Sequence, residues 1–208
     1  MSIPYGIAYW HDQKSRNGIP GDILNSMLQK SIRRGKEDSA IAAACEMYVT
    51  SPEYLEMLWK RLACIAVEDI GFGDPYASRL IRTLNEIRHE FPYADGDQPL
   101  FFVHAIRYLC RCQKERTSDH LRGMLKRAFQ SGYVPEIPDY AYDVHTEKGR
   151  ELGRDMTHFA EEASRVEPQL EDPRVREVHE EFIAFCKQEA DMTGTPEVEA
   201  FRSNCWQY

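Results

Sequence analysis

Apolar positions in this chain recur at helical spacing, and from Asp22 onward one such stretch follows another. The first stripe consists of Leu24, Met27, Leu28 and Ile32: Met27 and Leu28 lie three and four positions after Leu24, and Ile32 lies four positions after Leu28. No window alternates apolar and polar positions between turn residues in the way that predicts strands. Amphipathic helices joined by short connections predict an all-α fold, a multi-helix bundle.

Cap residues divide the helical pattern. Ser51 and Pro52 are expected to begin the third helix, because serine caps helices and proline suits the first helical position. Asp38 is expected to cap the second helix, and Thr146 a helix in the last third of the chain. The later helical stretches run over Ala77–Ile87, Leu100–Cys112, Ser118–Gln130 and Pro173–Met192, with a short last helix from Thr195.

Three parts are predicted along the chain. Residues 1–21 contain several glycines and prolines and predict an irregular N-terminal arm, in which Trp10 indicates packing onto another element. Residues 22–142 form the predicted helical core. Residues 143–208 form a predicted helical C-terminal extension.

Composition narrows the class of protein. Of 208 residues, 42% are hydrophobic and 29% are charged, as in ordinary globular domains. No apolar run approaches the ~20 residues that span a bilayer, and the first residues lack the features of a signal peptide. A cytoplasmic protein without a membrane partner is therefore expected. The net charge of -8 argues against a surface devoted to nucleic acid, although a local basic patch remains compatible with it.

Motifs for nucleotide and metal chemistry are missing from the sequence. There is no G-x-x-x-x-G-K-[ST] loop, so no ATPase activity is expected from this chain alone. The seven histidines include no H-x-x-x-H or H-E-x-x-H pair, and neither a metal nor a cofactor is expected. No catalytic residue is assigned on these grounds.

Asp143 and His145 are the remaining candidates for a catalytic or binding site. In an extended segment they would face the same side, where they could bind a metal or orient a proton. Arg150 and Arg154 follow and could take a phosphate. The alternative is helix-start architecture, with Thr146 as the cap. A small helical enzyme centred on this segment is thus one alternative function.

Two basic clusters suggest a second alternative, a DNA-binding module. Cations could contact phosphates without sequence preference, with an affinity that falls steeply as salt rises. They could equally stabilise helix ends or form exposed helix faces. The candidate phosphate or DNA contacts are Lys30, Arg33, Arg34, Arg111, Lys114, Arg116, Lys126 and Arg127.

Residues 57–75, MLWKRLACIAVEDIGFGDP, join an amphipathic helix to a charged, glycine-containing break. Adjacent carboxylates on a helix point about 100° apart, so Glu68 and Asp69 are expected to bind backbone or an arginine such as Arg61 or Arg82 rather than share a substrate. Asp74 is expected to cap the next helix. We name residues 61–75 the signature turn. The residues expected to have a structural role in it are Arg61, Glu68, Asp69, Gly71, Asp74 and Pro75.

The same stretch resembles an R-x-L…A-x-E-D-I-G-x-x-D-P segment in AAA+ ATPases of the replication-associated recombination and Werner-helicase-interacting type. Upstream, Asp22 to Arg33 is similar to that family's D-x-I-S-A-x-x-K-S-I-R helix. Downstream, Ala105, Tyr108 and Leu109 match its A-x-A-x-x-Y-L helix. The resemblance covers residues 20–130 and fades beyond them, and the ATPase core of the family is not present in this sequence.

The resemblance implies a collar-like helical domain related to clamp-loader C-terminal domains, a region associated in the family with assembly into tetramers. The leading hypothesis is accordingly a non-catalytic helical assembly or scaffold module in DNA replication or repair. It would form a homo-oligomer, with a tetramer favoured, and would act beside an AAA+ ATPase or another replication or repair protein. Weak nucleic-acid binding is compatible with this role.

Overall fold

The structure, a computed structural model, describes the backbone of residues 7–191 and the side chains of residues 10–188. This part of the chain is helical and has no strand, apart from an isolated antiparallel bridge between Lys14 and Pro20. The all-α prediction is therefore confirmed. The chain forms two compact units, Met1–Tyr133 and Val134–Tyr208.

Seven α-helices occupy the described part of the first unit. They are α1 (Ile7–Asp12), α2 (Gly21–Arg33), α3 (Glu37–Thr50), α4 (Pro52–Ile65), α5 (Ala77–Ile87), α6 (Gln98–Arg111) and α7 (Thr117–Gln130). The second unit contains α8 (Glu147–Glu151), α9 (Met156–His158), which continues as a π-helical turn over Phe159–Ala163, and α10 (Pro173–Asp191).

Helix α4 lies at the centre of the first unit. Its apolar residues Leu58, Leu62 and Ile65 are completely buried, as the helical spacing predicts. Helices α2, α3, α5 and α6 all pack against it. The stripe of α2 is confirmed at Leu24, Leu28 and Ile32, whereas Met27 is 40% exposed because it lies at the edge of that stripe. This packing holds α2 and the end of α4 side by side.

Two predicted caps are confirmed and two are wrong. The Ser51 hydroxyl accepts a hydrogen bond from the Tyr54 N–H, and the Thr146 hydroxyl accepts one from the Gly149 N–H. Asp38 does not cap α3, because the helix already begins at Glu37 and Asp38 lies in its first turn. The Asp74 prediction is corrected below with the signature turn.

The N-terminal arm contains α1, which brings Trp10 into the core. Trp10 is 5% exposed and meets the ring of Tyr54 edge-on, with 5.0 Å between ring centroids. The expected packing of Trp10 is therefore confirmed. The predicted short helix from Thr195 and the end of the long helix at Met192 lie outside the described residues.

Within the described part of the second unit, Ala160 and Cys186 are buried. Helix α10 packs against α9 and the π-helical turn that follows it. Across residues 7–191, no helix combines the length and the apolar character that crossing a membrane would require.

Candidate functional site

The signature turn begins where α4 changes its winding. The helix continues past Ile65 as a π-helical turn over Ala66–Ile70 and then as a 3-10 turn over Gly71–Gly73. This wider winding places Asp69 inside the unit, where its side chain is completely buried. π-Helical turns within helices often occur at functional sites.

Glycines let the loop after α6 pack directly on this turn. Gly71 has a φ of +52°, which residues with a Cβ rarely adopt. A Cβ on Gly73 would lie 2.4 Å from the backbone oxygen of Gln113, closer than any real contact. The backbone N–H of Glu115 also donates to the Asp69 carbonyl at 3.0 Å. The loop and the turn are therefore held against each other through their backbones.

Asp69 binds side chains from two other elements. Its carboxylate accepts hydrogen bonds from Arg33 Nε at 2.6 Å and from Gln29 Nε2 at 2.9 Å, both on α2. Arg116 Nε, from the start of α7, lies 2.9 Å from Asp69 Oδ1 without the alignment of a hydrogen bond, so that contact is ionic. Asp69 thus connects α2, the end of α4 and the start of α7.

Arginines bind the two acids as expected, but the two examples named from the sequence, Arg61 and Arg82, were wrong. Arg61 Nη2 donates to Gln29 Oε1 at 2.6 Å and so orients the amide that reaches Asp69. Arg82 pairs with Glu86 on its own exposed helix face. Sequence spacing favoured arginines near the acid in the chain, whereas the partners come from helices that only the fold brings close.

Asp74 stabilises a turn and does not cap α5, which begins at Ala77. Its Oδ1 accepts the Tyr76 N–H at 3.0 Å, the geometry of an Asx turn. Its Oδ2 accepts the hydroxyl of Tyr108 from α6. The Tyr108 hydroxyl lowers the pKa of the Asp74 carboxyl, and the same bond raises the pKa of Tyr108. Pro75 follows within this turn.

Most of the candidate DNA contacts carry structural interactions. Arg33 and Arg116 both face Asp69, and each also lies 3.6 Å from Glu68. Arg111 Nε lies 2.8 Å from Glu37 Oε1. These three cations already have carboxylate partners, so a phosphate would have to compete with those partners.

The other basic candidates are used locally or left open. Lys30 Nζ donates to Ser26 Oγ, Arg34 to the carbonyl of Lys30, and Lys114 to the carbonyl of Cys110. Lys126 and Arg127 are exposed on α7 and form no ion pair within the described part of the chain. Neighbouring positions in sequence therefore differ sharply in how available their charges are.

In the second unit, the structure brings Asp143 and His145 together but uses the two arginines elsewhere. His145 Nδ1 lies 2.8 Å from Asp143 Oδ2, and the His145 N–H donates to Asp143 Oδ1 at 3.0 Å. This hydrogen bonding lowers the pKa of Asp143. Arg150 donates to the Val144 carbonyl, and Arg154 donates to the carbonyl and carboxylate of Asp139. The contacts are those of a segment that shapes the start of α8.

Helix α7 has an apolar stripe that lies on the surface. None of its residues is buried, although its stripe has regular helical spacing. Met124 is 66% exposed, and Leu121 and Leu125 are each 52% exposed. Phe129 and Tyr133 extend the stripe with an edge-to-face ring contact at 5.6 Å between centroids. The sequence predicts a helix here, whereas only the fold shows that the other described helices of the first unit leave this face exposed.

No family model matches this chain. Over 137 residues the chain is 26% identical to replication-associated recombination protein A of Bacillus subtilis (strain 168). The alignment covers 66% of this chain and 31% of that protein, so the chain spans about a third of the length of its relative. The chain is thus distantly similar to a protein of the type that its sequence motifs resemble, and its helical fold is consistent with a helical domain of such a protein.

Proposed function

We propose that this chain is a non-catalytic helical assembly module that self-associates, with a tetramer as the favoured form. The observation that carries the proposal is the exposed stripe of α7, which we call the α7 stripe and define as Leu121, Met124, Leu125, Phe129 and Tyr133. Soluble monomers rarely expose large contiguous apolar patches, and those that occur often mark interaction sites.

The composition of the α7 stripe suits a protein–protein contact. Aromatic residues and methionine are enriched at the cores of such interfaces. The stripe lies on a helix whose first turn is fixed by Arg116, which binds both Asp69 and Asp119. A rigid helix that presents apolar side chains loses little conformational freedom on association. The signature turn would then serve to hold α7 in position, and not to bind a substrate.

The wider role that we propose is in DNA replication or repair, beside an AAA+ ATPase. The distant similarity to replication-associated recombination protein A supports it, as do the motifs of the signature turn. We propose further that the helices of residues 22–142 correspond to the collar-like C-terminal region of that family, and that residues 143–208 are an extension with its own role.

The test is the absolute mass in solution, by light scattering after size exclusion at moderate salt. The expected mass is that of four chains of 24.2 kDa. Leu125→Glu should reduce it to that of one chain with unchanged helical content, because a charge in the α7 stripe disfavours association and Leu125 has no buried role. Leu100→Glu is the matched control, since Leu100 is 62% exposed on α6 and lies outside the stripe.

Two results would overturn the proposal. A wild-type protein that is monomeric over a wide range of concentrations would remove self-association as the function. Equal dissociation by Leu125→Glu and Leu100→Glu would show that the α7 stripe has no special part in it.

One specific observation supports a DNA-binding role: Lys126 and Arg127 are both exposed on α7. Binding of a labelled single-stranded oligonucleotide at low and at moderate salt tests it. Non-specific phosphate contacts require binding at low salt that weakens steeply as salt rises. Absence of binding at low salt would eliminate this alternative, and a loss caused by replacing both residues with glutamine would favour it.

A further inference from the structure

A cavity of about 360 Å³ lies in the first unit between α1, α2 and α4. Helix α2 lines one wall with residues three or four positions apart, and α4 contributes Met57 and Arg61. Trp10 of α1 also lines the cavity. The volume lies at the lower end of the range for ligand sites and suits a group the size of two amino acids. Neither the proposed self-association nor the backbone packing of the signature turn involves this cavity.

The cavity carries a small excess of positive charge. Lys30, Arg33 and Arg61 line it, against the single acid Asp22, which binds His11. Behind the wall, Arg33 and Arg116 face Asp69 and Glu68. Arg116 also pairs with Asp119, which in turn pairs with Arg122. When these groups are included, one positive charge remains in excess. Such a balance favours one carboxylate over a chain of phosphates.

Two side chains that line the cavity each carry a polar atom that has lost water without gaining a partner. Asn25 Oδ1 and Arg61 Nε are buried and have no hydrogen bond. The other end of the Asn25 amide meets only the Met57 sulfur, at 3.1 Å, so turning the amide over would still leave one of its polar atoms poorly satisfied. Unpaired buried polar atoms destabilise a fold and call for an explanation. A group that enters with small rotations of these side chains would satisfy both.

The chemistry of these neighbours selects the ligand. Asn25 Oδ1 needs a donor, which a backbone N–H supplies and a phosphodiester lacks. Arg61 Nε needs an acceptor, which a backbone carbonyl supplies. Lys30 lines the cavity, is exposed and can meet a carboxylate, while Trp10 and Met57 offer apolar surface. An acidic residue next to a large apolar residue in an extended segment provides all of these groups together.

We propose that this cavity, which we call the α2–α4 cavity, binds an acidic peptide segment of a partner protein, with an aspartate or glutamate beside a large apolar residue. The carboxylate lies against Lys30, and the apolar side chain lies against Trp10 and Met57. The inference concerns one chain by itself and does not depend on self-association through the α7 stripe.

The first experiment is a peptide array that contains all pairings of the common amino acids within a glycine–serine frame, probed with the labelled 208-residue chain. We expect the retained peptides to pair Asp or Glu with Leu, Ile, Met, Phe, Tyr or Trp. The inference would be overturned if retention depended on peptide charge alone, or if no peptide were retained more strongly than the glycine–serine frame by itself.

The second experiment measures the strongest array peptide, fluorescein-labelled, by anisotropy. Lys30→Gln should weaken it about fivefold, the scale of an exposed charge pair. Lys36→Gln is the matched control, because Lys36 is also exposed but does not line the cavity, and it should leave the affinity unchanged. Equal effects of the two variants would reject the site. Equal competition by a single-stranded oligonucleotide would also reject it, in favour of nucleic acid.

Asn25→Ala separates a binding role from a structural one. It removes an unpaired buried oxygen, so the thermal midpoint should hold or rise while peptide affinity falls. A variant that loses stability and affinity together would show that Asn25 acts in the fold. A variant that gains stability and keeps its affinity would show that the peptide does not use this amide.

Discussion

Replacing Asp69 by alanine is the most direct test of the signature turn. Asp69 is the completely buried acceptor for Gln29 and Arg33 and the ionic partner of Arg116. Asp69→Ala leaves the two arginines facing each other without the carboxylate, and leaves the Gln29 amide without its acceptor. The variant should therefore be less stable, and the start of α7 should lose its fixed position.

The size of the effect follows from the exposure of the partners. Breaking a buried ion pair by removing one member typically costs about 3–5 kcal/mol. The Arg33 and Arg116 side chains are 26% and 28% exposed, so water compensates part of the loss. We expect a cost of about 2–4 kcal/mol. Asp69→Ala should cost less free energy of unfolding in a chain that already carries Arg33→Met, because the effects of substitutions at contacting residues are not additive.

Urea denaturation followed by circular dichroism measures this cost. With a slope of about 2 kcal/mol per molar urea, the midpoint should fall by about 1–2 M. Glu68→Ala is the matched control, since Glu68 is the neighbouring acid, is 28% exposed and lies 3.6 Å from the same arginines. It should cost less than about 1 kcal/mol.

The reasoning would be refuted by either of two outcomes. Asp69→Ala unfolding at the wild-type midpoint would mean that the buried network contributes nothing to stability. A Glu68→Ala variant as unstable as Asp69→Ala would mean that burial of the carboxylate does not decide its contribution.

Three further predictions concern the same unit. Gly73→Ala should destabilise by about 2 kcal/mol or more, because a Cβ there meets backbone of the loop after α6 at 2.4 Å, and urea midpoints will show it. The pKa of Asp74 in the folded state lies below its ordinary value of 3.8, so ionised Asp74 stabilises the fold at pH values above 3.8. This stabilisation is lost as the pH falls through the folded-state pKa. Tyr108→Phe should therefore lessen the loss of stability on acidification, measured as urea midpoints at neutral pH and at about pH 3. Cys64 is exposed and should react rapidly with a thiol reagent. Burial raises the pKa of Cys110 to about 11, so Cys110 should react slowly in the native protein. Mass spectrometry of the labelled peptides measures both rates.

Each of these has its own control and its own contrary result. Gly123→Ala is the control for Gly73→Ala, because open space surrounds that glycine, and equal losses would argue against the packing explanation. An identical acid response of wild type and Tyr108→Phe would remove the link to Asp74. Equal labelling rates of Cys64 and Cys110 in the native state would contradict the burial of Cys110, and labelling in urea should abolish any difference.

The sequence by itself determined the helical class and much of the core. Apolar spacing placed Leu24, Leu28 and Ile32 on one face of α2, because a helix that buries one face must repeat apolar residues every three or four positions. Local capping chemistry placed the starts of α4 and α8 at Ser51 and Thr146, since a cap needs only residues adjacent in the chain.

Only the tertiary structure decided which side chains are available for function. Arg33 and Arg116 look like free cations in the sequence but meet Asp69 across helices, and Asp74 serves a turn fixed by Tyr108 on a distant helix. The stripe of α7 has the spacing of a buried face, yet the fold leaves it on the surface. Periodicity reports that a face is apolar, whereas its partner is chosen by packing between residues far apart in the chain.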